Sequence, residues 1–367
     1  MLEALIYIDY SLTILQMSTS SFATSVAILS HKLSAASTME EGKVTSPLSI
    51  AYILSLLQLG SSGNTQQQLI DLFGFDENIE TLIQIVKIFN TDIIRLANAI
   101  IVNNLYPLKQ DYSDIVNKAA LISNEDFNNN QAIVTKVNNF ISANTNNLIN
   151  DILKPEHIST DVTSVLINTI YFKSLWKVPF KPHLNYSDTF NNVSECTMMR
   201  TKSYFSYYED DDVQIVELPY VNKDYCMGFV LPKNNDANQN CHKYLMNEKY
   251  ETKYIDARIP KFTQRCNIDL ISILSELGLV DIFTPNAALD KMCDGAKPYV
   301  GVMIHEAVVI VSETGTEAAA VTVAVCIKKS CCVAPKAIIF NADHTFAYYI
   351  KHYPTNTPLF VGNYCGM

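Results

Sequence analysis

The amino-acid sequence predicts an α+β fold, a single domain in which helices come first and strands follow. Its 367 residues, 48% of them hydrophobic, are sufficient for one large buried core. Apolar residues recur at helical spacing in the first part of the chain, whereas short apolar runs bounded by turn residues dominate after Val165. No Pro-, Gly- or Ser-rich linker and no internal repeat divides the chain, so these elements are expected to share one core.

The helices of the first part are predicted from apolar spacing and from the residues at their ends. Residues 22–33 carry apolar side chains at helical spacing. Ser46 and Pro47 begin a second helix that ends at Gly60, because serine caps helices and proline suits their first turn. Thr65 is expected to cap a third, short helix. A later amphipathic helix is indicated by Val134, Val137, Phe140, Ile141 and Leu148.

The strands are predicted from apolar runs between turn residues, beginning with residues 97–104. The run Val165–Phe172 is largely apolar, which is typical of a strand buried on both faces. One helix, residues 268–277, interrupts the strands of the second half and is ended by Gly278. The remaining strands are expected at 213–218, 226–231, 254–259 and 299–313, followed by a hairpin of 346–350 and 359–361.

The charge and hydropathy of the chain exclude two classes of partner. Its net charge is −10, whereas a nucleic-acid-binding surface needs clustered Lys and Arg. No apolar run approaches the length of a membrane-spanning helix, about 20 residues. We therefore expect the protein to bind neither nucleic acid nor a membrane.

The N-terminal residues do not resemble a signal peptide. They are only mildly apolar, include Glu3 and Asp9, and have neither a basic flank nor a clear cleavage site. Met17 is an alternative start, so residues 1–16 are interpreted as an extension without assigned structure, ahead of a domain of residues 17–367. The nine cysteines are odd in number and irregular in spacing, which favours reduced thiols in a cytosol over a disulfide framework.

Motifs for metal binding and for catalysis are scarce. The seven histidines are scattered, and no Cys-x-x-Cys pair or helically spaced His pair is present, so neither a metal site nor a cofactor is expected. Gly-x-Ser-x-Gly and Gly-rich phosphate loops are also missing. A cysteine hydrolase that uses Cys331 and His344 is the remaining enzymatic alternative, but no helix start near Cys331 would lower its pKa. The sequence therefore predicts that the protein is not an enzyme.

The segment from Glu313 to Ser330 is unusual because it favours a strand where a strand does not fit. Joined to the preceding strand it would run for roughly 25 residues, against a usual 3–10. If the segment forms a strand, its side chains alternate between two faces, and one of these faces carries only small residues. A strand with such a face can enter a packed sheet without overpacking it. These small residues are Thr316, Ala318, Ala320, Thr322 and Ala324. An ordinary edge strand and loop is the alternative interpretation.

At these residues the sequence resembles the serpins, and most closely the poxvirus serpins. The resemblance extends from about Phe22 to Tyr364 and rests on several motifs together. The motifs are Ser46-Pro-Leu-Ser-Ile50, Asn168-Thr-Ile-Tyr-Phe-Lys173 with Trp176 and Pro179-Phe180, Ile259-Pro-Lys-Phe262, Met303-Ile-His-Glu-Ala307, Glu313-Thr-Gly-Thr-Glu-Ala-Ala-Ala320, Ala342-Asp-His-Thr-Phe346 and Leu359-Phe-Val-Gly362. Met292-Cys293 and the ending Tyr364-Cys365 are similar to the poxvirus members.

The resemblance implies a fold and a mechanism. The fold has three β-sheets, about eight to nine helices and an exposed reactive-centre loop at about residues 314–335. A target protease attacks this loop, and the cleaved loop then enters the main sheet as a new strand and carries the protease with it. The implied partner is a host serine protease, and the implied protein is a monomeric viral inhibitor.

The resemblance also assigns roles to individual residues. The loop hinge comprises Glu313, Gly315, Thr316, Glu317, Ala318, Ala319 and Ala320. The shutter, where the sheet parts, comprises Ser46, Ser49, Asn168 and His305. Trp176 corresponds to the breach, the point where the loop enters the sheet, with ordinary core packing as the alternative.

Counting from the hinge places the attacked bond between Lys329 and Ser330, which suits the acidic specificity pocket of a trypsin-like protease. Because the stretch after this bond is longer than in many relatives, Ile327 and Lys328 are alternative positions. Lys328-Lys329 would also suit a dibasic-specific convertase, and a serpin that acts by binding only is a further alternative. The expected free thiols favour a location in the cytosol of the host cell. The alternative is secretion, because a lysine at the attacked bond would suit an inhibitor of extracellular trypsin-like proteases.

Overall fold

The structure, a computed structural model, describes residues 21–35, 42–74, 88–89, 91–234, 241–244, 249–295, 297–316 and 335–366. The predicted extension of residues 1–16 lies outside the described residues. So do the hinge residues Glu317, Ala318, Ala319 and Ala320 and the predicted reactive bond Lys329–Ser330.

The α-helices cluster in the first part of the chain, as predicted. Ser46 caps α2: its side chain accepts a hydrogen bond from the Ser49 N–H at 3.2 Å. The predicted cap at Thr65 is wrong, because α3 begins at Gly63 and Thr65 lies buried inside it, where its hydroxyl accepts the Ala288 N–H. The helices are α1 (21–35), α2 (Pro47–Gly60), α3 (Gly63–Phe73), α4 (Gln110–Val116), α5 (Asn130–Asn144) and α6 (Leu270–Glu276).

One sheet has seven strands, in the order β3-β2-β4-β12-β13-β5, with β11 on the free side of β12. The pairing of β11 with β12 explains why α6 begins at Leu270 and not at residue 268 as predicted. Strand β4 is buried along its whole length, which confirms the prediction for Val165–Phe172. The strands are β2 (Ile94–Asn103), β3 (Leu121–Glu125), β4 (Ser164–Phe172), β5 (Ser174–Leu175), β11 (Phe262–Asp269), β12 (Val302–Val311) and β13 (Gly315–Thr316).

The other sheet has nine strands, in the order β1-β16-β15-β9-β8-β7-β10-β14, with β6 paired to β7. Two of the three expected sheets are joined here, because β7 is 16 residues long and pairs along most of its length with β10 but at its C-terminal end with β8. The strands are β1 (Val44–Thr45), β6 (Tyr186–Phe190), β7 (Ser194–Glu209), β8 (Val213–Pro219), β9 (Tyr225–Pro232), β10 (Glu251–Pro260), β14 (Ile338–Asn341), β15 (Phe346–His352) and β16 (Thr357–Tyr364).

The two faces of the seven-stranded sheet pack against different partners. Its inner face, with Met303, Ala307 and Val309 of β12, belongs to the main core, which also contains α2 and the nine-stranded sheet. Its outer face, with Val165 and Ile167 of β4, packs against the apolar side of α5. This arrangement confirms the predicted single α+β domain. None of the helices in the described ranges has both the length and the apolar character needed to cross a bilayer.

Candidate functional site

The seven-stranded sheet parts at one end, and the hinge lies in the opening. Strands β4 and β12 pair in parallel from Val165 opposite Val302 to Ile170 opposite Ala307. Beyond that point β13 lies between them, because Thr316 pairs with Val311 on β12 and with Ser174 on β5, which directly continues β4. The first hinge residues therefore already occupy the upper end of the gap between two central strands.

Trp176 holds the turn that leads into the hinge. Its indole N–H donates to the Ser312 carbonyl at 2.9 Å, and its backbone N–H donates to the Thr314 carbonyl at 2.9 Å. Its ring stacks on Tyr220 with centroids 4.5 Å apart. The structure thus places Trp176 at the entrance of the gap, where it is both packed in the core and bonded to the hinge.

Glu313 anchors the outer side of the same turn. Its carboxylate lies 3.0 Å from Lys261 Nζ and accepts the Asn185 side-chain N–H at 2.8 Å. Burial raises the pKa of the Glu313 carboxyl, but hydrogen bonds from its own backbone, Lys261 and Asn185 outweigh this, so the pKa lies below its ordinary value. The carboxylate is therefore ionised at neutral pH and fixes the start of the hinge. The sequence motifs did not identify Asn185 as part of this site.

Gly315 and Thr316 fit the gap for different reasons. A Cβ atom on Gly315 would lie 2.8 Å from the Leu175 Cα and closer still to the Ser174 carbonyl oxygen, so only glycine allows this approach of two backbones. Thr316 is 1% exposed, and its hydroxyl lies 2.6 Å from that of Tyr220 on the inner side of the sheet. The side chain of Thr316 therefore points toward the main core.

The predicted shutter residues are brought together by the fold. The Asn168 side chain accepts hydrogen bonds from the Ser49 hydroxyl at 2.9 Å and from His305 Nδ1 at 2.7 Å, and it donates to the Ser49 carbonyl at 2.8 Å. The Ser46 N–H donates to His305 Nε2 at 3.1 Å. We call these residues, with Asn98, the polar cluster, and all of its members are fully buried.

Asn98 is a member that the sequence interpretation missed. Its side-chain oxygen Oδ1 accepts a hydrogen bond from Asn168 Nδ2 at 2.5 Å, and Asn98, Asn168 and His305 are direct neighbours on β2, β4 and β12. Within the described part of the chain, the side-chain nitrogen Nδ2 of Asn98 has no hydrogen-bond partner. An asparagine at a buried position of a strand was the available signal, because asparagine is depleted in strands.

The hydrogen bonds fix the protonation of His305. Nε2 accepts the Ser46 N–H, so Nδ1 carries the proton that is donated to Asn168. Burial lowers the pKa of His305 to about 3, and the hydrogen bond with Asn168 opposes this only in part. The ring is therefore neutral at physiological pH and joins α2 to β4 and β12 through both nitrogens.

The described residues provide little for the alternative chemistries. No group of three or more His, Cys, Asp or Glu side chains among them is arranged to hold a metal ion. Cys331 lies outside the described residues. His344 Nδ1 lies 2.7 Å from the Asp343 carboxylate, and Nε2 lies 2.7 Å from the Pro232 carbonyl oxygen, so both ring nitrogens have partners in the fold.

Comparison with known proteins places this geometry in a family. The sequence model of the serpins (serine protease inhibitors) matches residues 19–366. An uncharacterized serpin-like protein of Acanthamoeba polyphaga mimivirus is 35% identical over 88% of this chain and 84% of its own length. Human neuroserpin is 28% identical over 88% of this chain and 85% of its own. A solved structure of a serpin of the insect Tenebrio molitor, described as highly specific, covers 96% of this chain and 98% of its own at a TM-score of 0.82 and 22% identity.

Proposed function

The chain belongs to the serpin family, and from this premise we propose that it is an inhibitory serpin that traps a trypsin-like serine protease. The protease serine attacks the Lys329 carbonyl, the peptide bond to Ser330 breaks, and the Lys329 acyl group stays esterified to the enzyme. The loop from Thr316 onward then enters the gap between β4 and β12 and displaces the attached protease before water can release it.

The observation that carries this proposal is the register of β13. Thr316 is paired on both sides, with Val311 and with Ser174. If both antiparallel ladders continue, Ala320 comes opposite Ala307 and Ile170, and Thr322 comes opposite His305 and Asn168. Both pairs are already opposite each other in the β4–β12 ladder. The two sides of the gap therefore offer one consistent register for an inserted strand.

The side chains of the loop suit this register. Thr316 points inward, so in an inserted strand the alternation of side chains would point Ala318, Ala320, Thr322 and Ala324 inward as well. The facing inner residues of β12 are fully buried, and small residues can be added there without overpacking the core. A bulky or proline residue at these positions would favour the alternative of a serpin that acts by binding only, and the sequence has none there.

The proposed target follows from the basic residue that precedes the attacked bond. Lys329 suits an acidic specificity pocket, whereas the segment between Thr314 and Ala342 contains Glu317 as its single acid and no aspartate, which argues against caspases. Lys328 gives the second candidate, a dibasic-specific convertase.

We further propose that the protein is a monomeric viral modulator of host proteases that acts in the host-cell cytosol, with secretion as the alternative. The mimivirus relative supports a viral origin, while the poxvirus likeness rests on the motifs alone.

Incubation with trypsin followed by a denaturing gel tests the proposal. We expect a covalent complex with the wild-type chain, little or none with Lys329→Ala, and an undiminished one with the matched control Lys328→Ala. Loop cleavage without any complex would support the binding-only alternative. A complex that is lost with Lys328→Ala and kept with Lys329→Ala would move the attacked bond by one residue.

A further inference from the structure

A polar pocket lies on the outer face of the seven-stranded sheet, beside the point where β4 and β12 part. Its volume is about 220 Å³. The end of α5 and the loop after it provide one wall, and β2 and β4 with their flanking residues provide the floor. The lining residues are Asp92, Arg95, Ala143, Asn146, Tyr171 and Lys173.

The floor of the pocket continues the edge of the gap. Val165 and Ile167 of β4 face α5, so alternation along the strand places Tyr171 and Lys173 on the same outer face. The Lys173 N–H still bonds to the Ile93 carbonyl at 2.8 Å, next to β2. The following residue, Ser174, is the one that pairs with Thr316. Lys173 therefore borders the position that follows Thr316 in the hinge, residue 317.

The pocket is cationic, although the chain as a whole has a net charge of −10. Two of its lining residues, Arg95 and Lys173, are positive, and one, Asp92, is negative. Asp92 is exposed and lies 3.8 Å from Arg95. Within the described ranges, Lys173 is in no ion pair. A carboxylate delivered to this pocket would therefore find one cation that is not already paired with an acid of the described structure.

We propose that this pocket binds the carboxylate of Glu317 once the cleaved loop has entered the sheet, an inference that rests on the proposed inhibitory function. Thr316 points to the inner face, so the next residue of an inserted strand points to the outer face. The antiparallel ladder that pairs Thr316 with Ser174 places residue 317 opposite Lys173. Glu317 is the one acid of the segment between Thr314 and Ala342, and strand geometry brings it to the cationic pocket.

The ion pair belongs to the inserted state, and this gives it a role. A contact that exists in one of two states shifts the equilibrium toward that state. Pairing at residue 317, the first position to enter, stabilises the start of the inserted strand and opposes its withdrawal while the rest follows. Lys173 is thus a positioning residue for insertion, with Arg95 as a weaker contributor because it lies one strand farther away and is paired with Asp92.

Thermal unfolding of the uncleaved and the loop-cleaved protein tests this inference with Lys173→Gln and Glu317→Gln. Because the pair is partly exposed, we expect each variant to lower the midpoint of the cleaved form by about 1 °C and to leave the uncleaved form within about 0.5 °C of wild type. The double variant should lose no more than either single one, and the swap of Lys173→Glu with Glu317→Lys should restore the midpoint. Lys118→Gln, at an exposed lysine outside the pocket, is the matched control and should change neither form.

The same variants should also raise the number of inhibitor molecules consumed per protease trapped, by about twofold, because slower entry lets more acyl-enzyme hydrolyse. Additive losses in the double variant, or equal losses in the uncleaved form, would overturn the Glu317–Lys173 pair. Such a result leaves the inhibitory function intact if the wild type still forms a covalent complex. Absence of any complex with the wild type would instead overturn the proposed function itself.

Discussion

The backbone N–H of Ser46 donates a hydrogen bond to His305 Nε2 at 3.1 Å, which joins the cap of α2 to the centre of the seven-stranded sheet. The other ring nitrogen of His305 bonds to Asn168 on the neighbouring strand at 2.7 Å. Continuing the register of β13 would bring Thr322 between His305 and Asn168. The hydrogen bond between His305 and Asn168, which joins β12 to β4, is therefore the bond that an inserted loop would have to replace.

Acid should destabilise the native protein through His305. Its pKa is about 3 in the fold and about 6.5 in the unfolded chain, so between these values the unfolded chain binds a proton that the folded chain does not. Stability is therefore lost as the pH falls from about 6.5 toward 3, at up to about 1.4 kcal/mol per pH unit. Denaturant unfolding between pH 6.5 and 4.5 measures this slope.

His305→Gln is the variant for this prediction, because it removes the titrating group and keeps a polar side chain. We expect a clearly smaller slope, with a remainder from His352, whose pKa is lowered by burial in the same sense. A slope identical to wild type would contradict the assignment of the pH dependence to His305.

Asn168→Ala should cost more stability than Asn98→Ala. Asn168 bonds to Ser49, His305 and Asn98, so its loss leaves several buried polar groups without partners, at about 3 kcal/mol. Asn98 gives Asn168 one acceptor, so its loss should cost about 1 kcal/mol. Urea unfolding at neutral pH compares the two variants. Equal losses would mean that Asn168 is not the centre of the polar cluster.

Gly315→Ala should displace the hinge from the gap. The added Cβ would meet the backbone of Ser174 and Leu175, which has no room to yield. We expect more inhibitor to be cleaved without trapping the protease, by about threefold, because displacement of β13 delays insertion. Gly301→Ala is the control, since its Cβ would lie 3.1 Å from a methyl group of Val162, which can shift. Equal partition between cleavage and trapping in both variants would contradict the close-approach argument.

Features set by neighbouring residues were predicted well from the sequence. The Ser46 cap and the doubly buried strand β4 depend on local chemistry and on a local apolar run. The cap predicted at Thr65 was wrong because α3 begins at Gly63, which places Thr65 inside the helix, where its hydroxyl accepts the N–H of the distant Ala288. The double pairing of β7 also escaped prediction, because an apolar pattern shows that a strand exists but not which strands lie beside it.

The candidate site likewise contains residues that could be assigned from the sequence and residues that were missed. Ser46, Ser49, Asn168 and His305 were assigned from the family resemblance, and the fold brings their atoms together. Asn98 and Asn185 were not assigned, because their partners lie 70 and 128 residues away in the chain. An asparagine inside a predicted strand was a signal for Asn98, whereas the motifs contained none for Asn185.

The stability gained on loop cleavage tests the central claim most directly. If residues 316–325 become a buried strand, the added apolar contacts should contribute roughly 5 kcal/mol or more. The unfolding midpoint of the trypsin-nicked chain should then rise by at least about 6 °C above that of the intact chain. A nicked chain that unfolds at the same temperature as the intact one would show that the loop stays outside the sheet, and it would contradict the account.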